Sequence, residues 1–479
     1  MLTSTSTSTF ALHSLTVALF LAFGAGAQAQ PAAAPADASP EEQNVGPLQS
    51  RPASLDTTPT SIMQGFPPPA DKRVTRANWL SPPYLRWSLR NAREVGPTAG
   101  VSSAETAAAL PTAGEELPLE GMTLELPGGR TATFEQYLAG NVVDGLIVLH
   151  RGRVVYERYL GGMKKRDMHG WASMAKSVVG LLAAQLIHEG RLDPNAPLSR
   201  YVPELGENPL GKATVQQNLN MEVALAYPPQ LPPDIGLFTA AGLLPAREGM
   251  PGTIYDFLKI APRPVEAPHG SVFYYQNSAT EAVAWALRRV TGRSLAQLAS
   301  ERIWQPMGAQ DDAYYTLDSL GTEFAAGGLS STLRDAARFG ELVRNEGRAG
   351  SRQVVPSLVV ARILATPSAA NQERLARAGR TATGYGDYWW HAMDTEGAVY
   401  ALGRFGQRLY VDRANQITIA QFGAYADTRA RSTQVDQAVA PQADELQTSA
   451  GLVALARAIS SRITRASAGG AQDHVSSRH

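Results

Sequence analysis

The eleven residues from Ser177 to Ile187, SVVGLLAAQLI, carry no charge, and after the opening serine Gln185 is the one polar side chain. Apolar positions fall on every side of a helix drawn through them. The pattern therefore predicts a helix buried all round, not one with a single inward stripe. Such a helix cannot lie on a surface, so the fold must supply a sheet or other helices to cover it. Its predicted span opens near Ser173 and stops at Gly190, a residue suited to the left-handed position just past a helix end.

Directly ahead of the run stands HGWASMAK, which places Ser173 and Lys176 three apart. Residues i and i+3 share a helix face, so the two side chains can touch. A serine hydroxyl is a weak nucleophile at neutral pH and needs a base. A lysine becomes one when burial disfavours its charged form. At the head of a helix the Ser173 N–H has no intrahelical acceptor, and with the helix dipole it could hold a developing oxyanion. The competing reading is an N-cap serine followed by a solvated lysine; the all-round apolar run weighs against it. The chain holds only six lysines, and this is its one Ser-x-x-Lys.

Acyl transfer also needs a group to protonate the leaving atom. HGSVFYYQNSATEAVAW offers Tyr275 and Asn277 just before a helix predicted over Ser278 to Thr291, with Gly292 as its stop. The phenol can share a proton with a lysine, and the amide can orient a substrate carbonyl or the lysine. Tyr274 competes for the role; the spacing to Asn277 favours Tyr275. The alternative is a core tyrosine beside an asparagine cap.

Composition narrows the field. Basic and acidic residues balance at 43 each, which gives no electrostatic case for a nucleic-acid partner. There is no cysteine, which excludes disulfides, thiolate metal sites and a cysteine nucleophile. The eight histidines do not cluster, no zincin helix follows His188-Glu189, and no Gly-x-Ser-x-Gly elbow is present. No metal and no cofactor is expected.

Residues 1–29 read as a secretory signal, with an apolar run from Leu15 to Phe23 and a small-x-small site at Ala27-Gln28-Ala29; the segment before the run has no Lys or Arg, only His13, so an uncleaved anchor is the alternative. The mature protein is expected in the periplasm or secreted, with no membrane span after cleavage. Residues 30–60 read as a flexible linker, and 61–120 as an irregular extension wrapping the body, including a loop from Gly96 to Glu116. Residues 121–464 form the main domain, with a mostly helical insertion over about 190–325. A hairpin is predicted around Arg151-Gly152, strands between Ala398 and Tyr425, and a last helix from Ser449. Residues 465–479 read as a disordered tail. This order indicates an α+β fold: an antiparallel sheet with helices segregated around it. The aromatic stretch GYGDYWWHAM, Gly384 to Met393, reads equally as a pocket wall or a packed strand.

The motifs SMAK and YQN, about 100 residues apart, resemble those of the serine β-lactamase and penicillin-binding-protein superfamily, in its class C-like branch. The third motif of that superfamily, Lys-Thr-Gly or His/Trp-x-Gly, has Ala401-Leu402-Gly403 as its counterpart. No cation precedes Gly403, and a cation there grips the carboxylate of β-lactams and peptidoglycan stems. GRFGQRLYVD instead looks like the strand of 6-aminohexanoate-dimer hydrolases, as do IMQGFPP, LRWSL, WQPMGAQDDAYYTLDSLG and AAGGLSSTLRDAARFG. The likeness runs from about Ile62 to Ala424. It implies a β-lactamase/transpeptidase-like fold and a serine hydrolase acting on a small-molecule linear amide or ester. It further implies Ser173 as nucleophile, Lys176 as base, and Tyr275 as relay. The backbone N–H groups of Ser173 and Arg404 would form the oxyanion hole, with Asn277, Gly403 and Gln407 orienting substrate. A β-lactamase or D-alanyl-D-alanine carboxypeptidase is the alternative within this chemistry. A catalytically silent binding or sensor module is the alternative outside it. Oligomeric state is not readable.

Overall fold

The computed structural model describes residues 61–380, 383–395, 397–426 and 445–476, the last with side chains to 465. The expected signal and linker lie outside the described residues. The Pro- and aromatic-rich segment after Ser61 is ordered. It forms helix α1 (Leu85–Arg90) and then strand β1 (Thr98–Val101). That strand corrects the loop reading of 96–116: its backbone pairs with β5 (Ala313–Thr316), a partner about 200 residues away with no local signal.

Apolar alternation about Arg151-Gly152 produces β2 (Val143–His150) and β3 (Arg153–Tyr159). Arg151 and Gly152 have φ of 51° and 76°, the paired positive values that match a two-residue turn to strand twist. The hairpin is one side of a seven-stranded sheet. The others are β7 (Thr383–Gly386), β8 (Trp389–Ala392), β9 (Ala398–Gly403), β10 (Gln407–Asp412) and β11 (Ile417–Gly423). The order is β7-β8-β9-β10-β11-β2-β3, with every neighbour antiparallel. Helix α5 (Leu333–Arg344) packs across β10, β11 and β2.

The all-apolar run forms helix α2 (Lys176–His188), buried from Lys176 through Leu186 as its sequence requires. Gly180 lets it touch the β7–β8 turn, since a Cβ there would lie 2.0 Å from the Asp387 carbonyl oxygen. Ser177 donates to the Tyr388 carbonyl at 2.8 Å. The insertion supplies mostly short helices, among them α3 (Pro233–Ala240), and the longer α4 (Asn277–Thr291), which ends at left-handed Gly292. Helix α6 (Ser449–Ser476) runs past Thr464. The expected tail, residues 465–479, falls within this helix as far as Ser476, and residues 477–479 lie outside the described residues.

A second sheet, in the order β1-β5-β6-β4, contains β6 (Leu329–Ser331) and β4 (His169–Gly170). It brings the chain to Ser173. Behind β4, buried Asp144 accepts from Arg86 Nε at 2.6 Å and Arg90 Nη2 at 2.5 Å, and faces His169 Nε2 at 3.1 Å. Burial would raise this carboxyl. The His169 hydrogen bond and the two guanidiniums outweigh burial and hold it below the usual carboxylate range. The extension is thereby clamped to the strand that leads into the nucleophile. Among the described residues no helix is long and apolar enough to cross a membrane, and no group of three or more acidic, His or Cys side chains could hold a metal.

Candidate active site

Ser173 lies in a 3₁₀ turn (Ala172–Ala175) that feeds directly into α2. Ala172, immediately before it, has φ +46°. That conformation costs an alanine about 1–2 kcal/mol and is held by the surrounding packing. Ser173 is partly exposed while Lys176 is 1% exposed.

The Lys176 amine is within bonding distance of three oxygens: Ser173 Oγ at 2.9 Å, Asn277 Oδ1 at 2.7 Å and the Ala326 carbonyl at 2.9 Å. A neutral amine has two hydrogens and one lone pair. The asparagine oxygen and the carbonyl can only accept, so they take both hydrogens. The lone pair is left facing the one partner that can donate, the Ser173 hydroxyl. This arrangement suits a base taking the serine proton. Burial favours the same state, pulling the Lys176 ammonium down to about 7 against the pull of Glu281 and Asp234 in the other direction.

Tyr275, not Tyr274, is the tyrosine brought to the lysine: its ring centroid lies 5.1 Å from Lys176 Nζ. Burial pushes its phenol up to about 12, with a Ser173 hydrogen bond acting the other way. At working pH the phenol therefore keeps a proton that it can donate. Its ring stacks on Trp390 at 5.8 Å and meets Tyr385 edge-on at 6.0 Å. The aromatic stretch 384–393 is thus both sheet strand and wall of this side of the site. Asn277, at the start of α4, orients the lysine, and its Nδ2 donates to Asp234 Oδ1 at 3.2 Å.

Gly403 ends β9 against the nucleophile turn, and a Cβ there would stand 2.2 Å from the Trp171 carbonyl oxygen. Its role is close approach, and Arg404 beyond it lines the same space as Ser173. Gln407 is corrected. The expected substrate contact does not form, because its side chain is fully buried. Its amide nitrogen donates to the Gly423 carbonyl at 2.8 Å and to that of Arg404 at 3.2 Å. It braces the 404–406 turn from behind.

Sequence reasoning missed Glu281. One turn after Asn277 on α4, this fully buried carboxylate accepts the Ala326 N–H at 2.7 Å, fixing the loop whose carbonyl holds Lys176. Burial raises it to about 7, against Arg288, the Ala326 and Ala325 amides, and Lys176. The available signal was a lone acid among alanines in EAVAWAL. Glu281→Gln removes an anion that favours the ammonium, so the Lys176 pKa falls further. The acidic limb of the kcat/KM–pH profile, expected near pH 7 in the wild type, should move to lower pH. A Glu281 that merely supports the loop would leave the limb where it is.

The profile of the family described as Beta-lactamase matches residues 130–439. The chain is 31% identical over 375 residues to a 6-aminohexanoate-dimer hydrolase of Paenarthrobacter ureafaciens, covering 76% of this chain and 92% of that one. It is 26% identical over 211 residues to Esterase EstB of Burkholderia gladioli, covering 39% of this chain and 51% of the other. Among solved structures it is similar to a Bacillus anthracis protein described as a 6-aminohexanoate-dimer hydrolase. That similarity has TM-score 0.68 and 36% identity, over 75% of this chain and 93% of that one. The chain belongs to the beta-lactamase family and is a serine hydrolase.

Proposed function

We propose that the protein hydrolyses a linear amide or carboxylic ester, with a 6-aminohexanoate oligomer as the leading amide, through an acyl-enzyme on Ser173. The observation that carries this reading is the Lys176 amine, whose hydrogens are taken by Asn277 and Ala326 so that its lone pair faces Ser173 Oγ. Lys176 takes the serine proton as Oγ attacks the carbonyl carbon. The N–H groups of Ser173 and Arg404 hold the oxyanion. Tyr275 passes a proton to the leaving nitrogen or oxygen, and water then cleaves the acyl-enzyme by the reverse proton path. The linear substrate is supported by the relative matched over 92% of its length. It is also supported by apolar Ala401-Leu402 where a cation would grip the carboxylate of a β-lactam or peptidoglycan stem. We further propose export, on the Leu15–Phe23 run and the Ala27-Gln28-Ala29 site.

The test is intact-mass spectrometry after a fluorophosphonate probe, followed by peptide mapping. One adduct on the Ser173 peptide is expected, with 6-aminohexanoate or p-nitrophenol released from the matching substrates and nitrocefin left unhydrolysed. Absence of an adduct in folded protein would overturn the reading. Nitrocefin turnover would shift it to the lactamase.

A further inference from the structure

Beside Ser173 lies a mostly apolar space that is partly open to solvent. The extension gives it Trp79 and Leu89, the insertion gives it Phe238 and Leu243, and Phe324 and Phe405 close it. The Trp79 indole N–H donates to the Leu243 carbonyl at 2.6 Å, joining extension and insertion at this wall. Leu89 packs with Leu85 on Phe405, whose φ is +69°. The extension therefore also supports the turn that carries Arg404.

The side of the scissile bond that enters this space follows from Tyr275. That residue does not line the space and instead faces Trp390 and Tyr385. A leaving group departing toward the Tyr275 proton departs away from the slot, which leaves the slot to the acyl chain. We propose that the N-terminal extension completes the acyl-binding slot, with Trp79 as its specificity-determining residue. The slot selects an unbranched acyl chain of several methylenes. This rests on the acyl-enzyme reading above.

The test is the kcat/KM series on p-nitrophenyl acetate, butyrate, hexanoate and octanoate, with fluorophosphonate labelling as an independent check on Ser173. In wild type kcat/KM should rise by about threefold to fourfold per methylene until the slot is full. Trp79→Ala should lower the hexanoate-to-acetate ratio at least tenfold. Leu243→Ala, which keeps the carbonyl that binds Trp79, should lower the ratio from the opposite wall. It decides the matter if Trp79→Ala does not fold. A flat wild-type series, or a ratio unmoved in the folded variants, overturns the proposal while labelling still stands. A chain-length effect confined to the alcohol side of alkyl acetates overturns it too. Loss of labelling in wild type would instead indict the acyl-enzyme reading.

Discussion

Ser173→Ala is expected to lower kcat by about 10⁵–10⁶-fold, Lys176→Met by nearly as much, and the double variant by no more than the worse single one. The reason is that neither residue acts without the other. The serine oxygen is inert until its proton leaves, and the amine lone pair has no other reacting group to serve. What remains in each variant is binding and the oxyanion donors, and these survive both substitutions. Lys176→Met fills a similar volume in a site the wild-type side chain occupies at 1% exposure. It strands the Asn277 and Ala326 acceptors at about 1–3 kcal/mol each, so thermal unfolding must be recorded beside turnover. Losses that add in the double variant would mean that the two residues act in separate steps, contrary to the geometry at 2.9 Å.

Gly403→Ala should cost about 10²–10³ in kcat, the loss typical of one oxyanion donor. The glycine has φ −122° and ψ 153°, ordinary for any residue, so alanine brings no backbone strain of its own. The difficulty is contact. A Cβ 2.2 Å from the Trp171 oxygen forces either β9 or the nucleophile turn to move, and the distance between the Arg404 and Ser173 N–H groups changes with it. KM should change less than kcat, because ground-state binding depends on walls farther away. Retention of kcat within threefold would remove Arg404 from the oxyanion hole.

What the sequence announced and what it hid divide along physical lines. The covered helix, the two-residue turn at Arg151-Gly152 and the stop at Gly292 are local, each written in a short run of residues. Ser173 and Lys176 were legible because their spacing fixes a shared face. Tyr275 and Asn277 needed the resemblance as well, since a tyrosine beside a helix cap is commonplace. Strand β1, by contrast, exists only because β5 passes beside it. Trp79 and Leu89 reach the slot from a segment with no periodicity to read. Gln407 shows the reverse error: a polar residue beside a site is easily assigned to substrate, whereas its amide is spent on two backbone carbonyls.

The strand order has a consequence for how the chain is made. Strand β2 is buried along nearly its whole length and gains β3 within a few residues. Its other neighbour is β11, where Ile417 pairs with His150. At about 5–20 residues per second a ribosome needs on the order of tens of seconds to cover that interval. Throughout it the nascent hairpin presents an apolar strand edge with unpaired backbone groups, the template on which chains pair wrongly with one another. Biosynthesis of this protein therefore depends on keeping that edge occupied or shielded until the C-terminal strands emerge.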